Sequence, residues 1–354
     1  MIIAVDAMGG DYAPGEIVRG AVEGARLCGV DVVLVGDQQA ISSHLGSREP
    51  EGFVGVSIRH ASQVVGMHES VDAVRTKRDA SVVVAASMVK NGEADAMVSV
   101  GNTAAAMAVA TLKLGRIPGI DRPAIATVIP SRGGATVLLD AGAVVDCSVQ
   151  NLEQFAVMGS VYAQNALGIA DPRVGLLSVG EEKSKGSDLI RAAHARLAQS
   201  ALNFVGNVEG RDLFSGAADV VVADGFAGNV ALKTAEGLSE FIEHLLKEEF
   251  RAHPLIRIPL LFLLPSVNRM KKRLDYSDYG GAPLLGLNGV CIIGHGRSKA
   301  RAVASAVRAA KEAVGGGVVS AIRDHVESAD AARDNQVGSD VCSPLGCEVT
   351  SQDG

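Results

Sequence analysis

The residues best suited to chemistry lie in glycine-rich turns that follow short apolar runs. The first turn follows residues 2–5 and carries Asp6, Gly9, Gly10 and Asp11. Its backbone amides, close to a predicted helix start, could bind an anion such as phosphate. Simple turn formation is the alternative for the glycines. For the two aspartates we favour loop bracing, since carboxylates repel phosphate, and helix capping is the alternative for Asp11.

A second turn of the same kind follows the apolar run 96–100. Gly101, Asn102 and Thr103 begin a predicted helix there. They could present backbone amides and a hydroxyl to the same anion. We expect these two turns, and the similar turns further along the chain, to gather along one edge of a single sheet, because the carboxyl ends of parallel strands meet there.

Further along the chain, three more turns carry candidate groups. Lys183 and Lys185 precede a predicted helix, where an ammonium could neutralise phosphate, although an exposed lysine is usually a solvated charge. Gly225 precedes Asn229 and Lys233, which lie one helical turn apart; helix capping is the alternative role for Asn229.

The last turn places His295 between two glycines, after the apolar run 290–293. Gly296 and Ser298 follow it at a predicted helix start. His295 could donate to a developing oxyanion or to a leaving sulfur, or it could orient phosphate. Bonding to the neighbouring backbone is the alternative, and we keep both.

These groups suit the attack of phosphate on a thioester. Phosphate already carries an ionised oxygen near neutral pH, and a thiolate leaves without strong acid help. The protein then supplies position and electrostatics, and it needs no nucleophile of its own.

Composition excludes several classes of protein. The 354 residues carry a net charge of -7 and no Trp, which argues against a nucleic-acid-binding surface. Five irregularly spaced cysteines predict no disulfide framework and favour a reducing cytoplasm. We expect no metal and no cofactor, because the metal-ligand spacings we sought are absent. The chain enters a predicted strand directly after Met1, so we expect no secretory signal.

Apolar runs alternate with helical stretches, which predicts an α/β fold: a mainly parallel sheet in an α/β/α sandwich. We assign residues 1–327 to one catalytic unit, or to two closely joined lobes, and residues 328–354 to a polar, disordered tail. The predicted strands are 2–5, 32–35, 96–100, 125–129, 137–139, 174–179, 220–223 and 290–293. The predicted helices are 14–27, 80–91, 103–114, 152–166, 187–199, 229–250 and 298–314.

Residues 255–276 break this pattern. They place an apolar cluster before a basic group and predict a protruding amphipathic hairpin near residues 250–276. The cluster is too short to span a bilayer, which needs roughly 20 apolar residues. It could meet lipid and anionic headgroups or an acidic partner, or pack in the core or at a dimer interface. The contact residues predicted for membrane or carrier protein are Leu260, Leu261, Phe262, Leu263, Leu264, Arg269, Lys271, Lys272 and Arg273.

Taken in order, the motifs closely resemble the PlsX family of bacterial phosphate acyltransferases, over residues 1 to about 315. The chain reads DAMGGD at 6–11, GNT at 101–103, LLDAG at 138–142, GEEKSKGSD at 180–188, FVGNVEGRDL at 204–213, DGFAGNVALKTAEG at 224–237 and GGAPLLGLNGVCIIGHGRS at 280–298. The resemblance implies a fold similar to the phosphotransacetylase and isocitrate dehydrogenase group. It also favours Lys185 over Lys183.

The resemblance implies an activity and partners as well. It implies a homodimer in the cytoplasm, peripherally attached to the inner face of the cell membrane. The reaction would convert acyl-[acyl-carrier-protein] and inorganic phosphate into acyl phosphate and free carrier protein. A membrane-bound acyltransferase of phospholipid synthesis would consume the product.

The chain departs from the family pattern at several positions. Val100 and Ala104 replace a small residue and a glycine, and Val144 replaces an amide side chain. Two other functions therefore stay open: a phosphotransacetylase acting on acyl-coenzyme A, and a non-enzymatic, membrane-associated lipid-binding protein. A nicotinamide dehydrogenase is disfavoured, because the first turn lacks GxGxxG.

Overall fold

A computed structural model describes residues 1–45, 55–252 and 281–328. Its strands are β1 (Ile2–Asp6), β2 (Asp31–Gly36), β3 (Val56–His60), β4 (Ala96–Ser99), β5 (Ala124–Ile125), β6 (Thr127–Ser131), β7 (Gly134–Leu139), β8 (Val174–Leu177), β9 (Phe204–Val208), β10 (Val220–Val222), β11 (Ala282–Leu285) and β12 (Val290–Ile293). Its helices are α1 (Gly15–Cys28), α2 (Gln38–Leu45), α3 (Ala73–Thr76), α4 (Ser81–Lys90), α5 (Thr103–Leu114), α6 (Val149–Asn165), α7 (Asp188–Leu197), α8 (Gly225–Ala252), α9 (Ala300–Gly315) and α10 (318–328).

The strands form two sheets. The first has the order β3-β2-β1-β4-β12-β11-β5, and the second has the order β6-β7-β10-β8-β9. Pairing is parallel except around β11 and between β6 and β7. The α/β class and the mainly parallel pairing are therefore confirmed. The expectation that all motif-bearing turns line one sheet is wrong, because the turns divide between the two.

The two sheets meet where the predicted strand 125–129 divides. β5 pairs with β11 in the first sheet, whereas β6, one residue later, pairs with β7 in the second. Ala126 lies between them and is fully buried. Because the run is apolar except for Thr127, its composition gives no clear signal of the change of sheet. This crossing brings the first sheet and the second sheet side by side.

Helices cover both faces of the sheets, which explains why most strands read as continuous apolar runs. α1, α6 and α9 share one buried core that includes strands of both sheets, while α4 and α5 pack in a core on the opposite face of the first sheet. α1 and α9 can approach closely because Gly20 and Gly24 have no side chain. A Cβ added at Gly20 would lie 2.3 Å from the Ala300 carbonyl oxygen, and one added at Gly24 would lie 2.8 Å from Val307 Cβ.

The predicted segment 255–276 and the tail after residue 328 lie outside the described residues, and so do the nine contact residues Leu260, Leu261, Phe262, Leu263, Leu264, Arg269, Lys271, Lys272 and Arg273. Within the described ranges, no helix combines the length and apolar character needed to cross a bilayer.

Candidate functional site

Three of the predicted turns lie against one another at the ends of β1, β4 and β12. A side chain added at Gly9 would lie 2.9 Å from Gly101 Cα. The Asp11 amide donates to the Gly296 carbonyl at 2.8 Å. Gly10 has φ +103°, and its added side chain would lie 3.1 Å from the same carbonyl oxygen. The sequence prediction that these turns would gather is confirmed for this sheet.

Asp6 bonds within these turns. It is 3% exposed and accepts hydrogen bonds from Ser99 Oγ at 2.8 Å and the Met8 amide at 3.3 Å. Burial raises the pKa of this carboxyl, while the bonds from Ser81, Ser99 and the turn amides act in the opposite direction. These contacts fit the predicted bracing role. Asp11 does not cap α1, because the helix begins after Pro14 without a side-chain cap.

Beside these turns, a cleft of about 600 Å³ lies between the two sheets. One part of its wall is apolar, and the other part is polar and carries four cations and one carboxylate. The apolar part consists of Ile125, Val128, Ile129, Pro130, Phe214, Leu232 and Ile293. The polar part includes Thr103, Asn229, Lys233, Glu236, His295, Arg297, Ser298, Lys299 and Arg301. Such a cleft can hold an anion beside an extended apolar group.

Asn229 lies in this cleft from the second turn of α8. The helix begins at Gly225, and Asp224 caps it by accepting a hydrogen bond from the Ala227 amide at 2.8 Å. The predicted helix start at Asn229 and its alternative role as a cap are therefore wrong. Gly225 is buried, and its amide donates to the Val144 carbonyl at 2.8 Å, so this predicted substrate-binding residue bonds to protein backbone.

Asp140, which was not among the predicted site residues, holds the loop beneath Asn229. Its carboxylate accepts from the backbone amides of Ile125 at 2.9 Å, Gly142 at 3.2 Å, Ala143 at 2.8 Å and Val144 at 2.7 Å. Burial raises the pKa of this carboxyl, and the four donors oppose that shift. Val144 thus bonds to Asp140 through its backbone amide, which does not depend on its side chain. The motif LLDAG, which resembles the first turn, was the sequence signal that could have identified Asp140.

His295 and Ser298 both line the cleft. His295 is exposed, and its Nδ1 accepts from the Arg297 amide at 3.3 Å, so the proton of the neutral ring lies on Nε2. Ser298 is 6% exposed, and its amide donates to the His295 carbonyl at 2.9 Å. The alternative of backbone bonding therefore describes His295 correctly, and the ring still lines the cleft.

Other candidates have different surroundings. Lys233 lines the cleft and pairs with Glu236 at 2.7 Å. Asn102 adjoins Thr103, but both ends of its side-chain amide bond to protein backbone. Lys185 is exposed in the turn after β8, outside the residues that line the cleft, and its role stays a prediction.

Lys299 and Arg301 line the cleft but were not predicted as site residues. They follow the last glycine turn by several residues, and their spacing in the sequence does not show that their long side chains extend to the cleft. Lys299 also lies over the Tyr12 ring, 5.8 Å from its centroid. In the described part of the chain, no group of three or more His, Cys, Asp or Glu side chains could hold a metal ion.

Solved structures of phosphotransacetylases and of a phosphotransacylase share the fold. A phosphotransacetylase from Streptococcus pyogenes matches with a TM-score of 0.60 over 88% of this chain and 94% of its own, at 19% identity. A branched-chain phosphotransacylase from Enterococcus faecalis matches with a TM-score of 0.54 over 89% and 99%, at 15% identity. The likeness defines the fold class, an α/β architecture shared with phosphotransacetylases.

The chain belongs to the family described as "Fatty acid synthesis protein", whose sequence profile matches residues 1–321. Proteins named Phosphate acyltransferase are close relatives. The one from Desulforamulus reducens is 52% identical over 329 residues, which are 92% of this chain and 97% of the relative. The one from Heliobacterium modesticaldum is 49% identical over 327 residues, with 92% and 98% covered. The resemblance to the PlsX family is confirmed.

Proposed function

We propose that this protein transfers a fatty acyl group from acyl-[acyl-carrier-protein] to inorganic phosphate and so supplies acyl phosphate for phospholipid synthesis. The observation that carries the proposal is the cleft, which joins a polar wall of net positive charge to an apolar wall in one space of about 600 Å³. The name of the relatives, Phosphate acyltransferase, supports phosphate as the acceptor.

The reaction needs no acyl-enzyme. A phosphate oxygen attacks the thioester carbonyl carbon, a tetrahedral oxyanion forms, and the C–S bond breaks. The thiolate takes up the proton that phosphate loses, so the products are acyl phosphate and free thiol. The described cysteines suit this route, since burial raises the pKa of Cys147 to about 11 and of Cys291 to about 12, and the thiols stay protonated.

We assign the residues of the cleft to two roles, phosphate binding and stabilisation of the oxyanion. Lys233 and Arg297 supply positive charge for phosphate, and Thr103 and Ser298 supply hydroxyl donors. Asn229 and the Nε2 proton of His295 are the donors for the developing oxyanion. Lys185 is assigned a second phosphate contact by the family resemblance alone.

The acyl chain and its carrier need further surfaces. The apolar wall formed by β5, β6 and α8 suits a fatty chain better than an acetyl group. The cations Lys299 and Arg301 at the same cleft suit an acidic carrier protein.

Mass-spectrometric detection of acyl phosphate, after palmitoyl-carrier protein is mixed with phosphate, tests the function. Lys185→Ala, Asn229→Ala and His295→Ala should each lower turnover roughly a hundredfold, as for loss of one preorganised donor or charge. Lys183→Ala, an exposed lysine in the same turn as Lys185, is the matched control.

Two alternatives give distinct outcomes in this assay. Faster turnover of acetyl-coenzyme A than of palmitoyl-carrier protein identifies a phosphotransacetylase. Phosphate-dependent release of thiol from either donor excludes a non-enzymatic lipid-binding protein.

Homodimer formation belongs to the same proposal. α8 exposes apolar side chains along its length, including Leu238 at 57% and Phe241 at 56%, which supports burial in a partner subunit. Leu238→Glu together with Phe241→Glu should halve the mass found by light scattering, and an unchanged dimer would place the interface elsewhere.

Peripheral membrane contact through residues 260–264 rests on the sequence. Leu261→Glu with Leu264→Glu should release the protein from anionic liposomes in a flotation assay. Unchanged flotation would reject this contact.

A further inference from the structure

A loop formed by residues 64–70 packs against the turns at the ends of β4 and β12, and its own hydrogen bonds close it. The Glu69 carboxylate accepts from the Gly66 amide at 2.7 Å and from Lys77 Nζ at 2.7 Å. Lys77 Nζ also donates to the Val64 carbonyl at 2.8 Å. These bonds give the loop a defined shape, in which the carbonyl groups of residues 66, 67 and 69 lie within hydrogen-bond distance of the turn at the end of β4.

Those three carbonyls converge on the side chain of Asn102. Its Nδ2 donates to the carbonyl oxygens of Gly66 at 3.3 Å, Met67 at 3.1 Å and Glu69 at 3.0 Å. Its Oδ1 accepts from the Ala105 amide at 3.1 Å and so caps α5. Nδ2 has two hydrogens, and the three carbonyls use both of them. The Asn102 side chain therefore has no donor left for phosphate.

The loop reaches the His295 turn through Met67. A side chain added at Gly296 would lie 2.3 Å from Met67 Cε, so the methyl group packs directly against the Gly296 backbone. The Gly296 carbonyl also accepts from the Asp11 amide. The turn that carries His295 thus contacts both Met67 and the first turn through Gly296.

We propose that Asn102 and Met67 are positioning residues: Asn102 fixes the loop 64–70, and Met67 on that loop fixes the turn that carries His295. This role replaces the direct phosphate contact predicted for Asn102. It rests on the proposed function only where the effect on turnover is concerned, because the fixing of the loop can be measured on the free protein.

Hydrogen exchange of the free protein tests the first step. Asn102→Ser keeps an oxygen that can cap α5, but it replaces the amide Nδ2 and its two donor hydrogens with a single, shorter hydroxyl. Amides of residues 64–70 should then exchange roughly tenfold faster, while α5 remains protected. Asn102→Asp, which places an oxygen opposite three carbonyls, should have a larger effect. Asn91→Ser, at an exposed asparagine whose side-chain amide donates to Glu93, is the control. Unchanged exchange in Asn102→Ser would overturn the proposal.

Kinetics tests the second step. Asn102→Ser and Met67→Ala should each lower kcat by roughly tenfold, with KM for phosphate nearly unchanged, and Met67→Leu should restore most of the rate. The double variant should be no slower than the slower single variant, because both act through one contact. Additive losses of kcat in the double variant would mean that Asn102 and Met67 act separately, which would overturn the proposal. A raised KM for phosphate with normal exchange of the loop would establish a direct phosphate contact of Asn102 instead. A wild type without acyl-phosphate formation would reject the proposed function and leave the exchange result standing.

Discussion

Two buried aspartates perform the same task in the two sheets. Asp6 ends β1, and Asp140 directly follows β7. Each accepts hydrogen bonds from backbone amides of the turn that follows it. Each also bonds to a neighbouring segment, Asp6 to Ser99 and Asp140 to Ile125. A carboxylate is suited to this role, because it accepts several bonds at once and donates none that would compete.

The raised pKa of Asp6 predicts a pH-dependent stability. The folded pKa of Asp6 lies above the ordinary value of 3.8. The protonated carboxyl therefore makes its full contribution to the free energy of unfolding below pH 3.8, and this contribution is lost as the pH rises through the folded pKa. Asp6→Asn carries no titrating proton. The free energy of unfolding of the wild type, relative to that of Asp6→Asn, should therefore be lower at about pH 7 than at about pH 4, by up to about 1.4 kcal/mol for each pH unit between the ordinary and the folded pKa. Urea denaturation at both pH values measures this difference, and a constant difference would contradict the prediction.

Gly228 is a second residue whose identity is fixed by its surroundings. A side chain there would lie 1.9 Å from the Asp140 carbonyl oxygen, so backbone would have to move. Gly228→Ala should lower the free energy of unfolding by about 1–3 kcal/mol and displace Asn229, with a loss of turnover. Thermal denaturation and the acyl-phosphate assay measure the two effects.

Gly237 is the matched control in the same helix. A side chain there would meet nothing within 4 Å. Gly237→Ala should stabilise α8 by up to about 1 kcal/mol, because alanine is the better helix former. If both variants behaved alike, the close approach of α8 to the turn after β7 would not explain Gly228.

At the scale of elements, the sequence predicted the long, periodic helices and the strands that are buried on both faces. The helix predicted at 103–114 has those bounds in the structure, and the strand at 290–293 does as well. β3 and β9 were missed, because they lie at sheet edges and their alternating exposed residues interrupt the apolar run. The run 125–129 was predicted as one strand, since a change of partner sheet leaves no mark in composition.

In the candidate site, too, the sequence predicted some residues and not others. Turn residues such as Gly9, Gly101 and Gly296 were predictable, because strand ends meet along an edge. The roles of Asn102 and Asp140 were not, since they depend on which backbone groups from distant segments come within hydrogen-bond distance.

The turn after β8 depends on an element beside it. Asn207 on β9 is 6% exposed, and its Nδ2 donates to the Glu182 carbonyl at 3.0 Å. Its Oδ1 lies 3.0 Å from Nδ1 of the buried His194, which is therefore the donor. The Lys185 amide bonds to the same Glu182 carbonyl at 3.0 Å.

Asn207→Ala should therefore release the turn 178–186 and leave His194 without this partner. We expect a loss of about 1–3 kcal/mol in the free energy of unfolding, with faster hydrogen exchange across the turn. Asn203→Ala, at an asparagine just before β9 that bonds Asp171 in an exposed setting, is the control. Equal exchange in the two variants would mean that Asn207 does not hold the turn.

At the scale of the whole molecule, charge is distributed unevenly. The chain has a net charge of -7, yet its cleft is lined by Lys233, Arg297, Lys299 and Arg301 against one acidic residue, Glu236. A locally positive cleft on an acidic protein favours an anionic partner at that place and disfavours it elsewhere. The same cleft lies where the two sheets meet, so both sheets contribute to one binding region.

This charge pattern predicts how Lys299→Glu would act. Reversing the charge should raise KM for palmitoyl-carrier protein by roughly three- to tenfold at low salt, since steering of an acidic protein is lost. The effect should shrink at high salt, where charges are screened. KM for palmitoyl-pantetheine, a small thioester without a carrier, should barely change. Steady-state kinetics with both donors measures the contrast.

Lys90→Glu makes the same change in net charge at a position on α4, outside the residues that line the cleft. If it raised KM for the carrier as much as Lys299→Glu, the effect would belong to total charge and not to the cleft. If Lys299→Glu weakened both donors equally, the lysine would act on the thioester or phosphate itself. Only a loss confined to the carrier-bound donor, and relieved by salt, places an acidic carrier protein at this wall of the cleft.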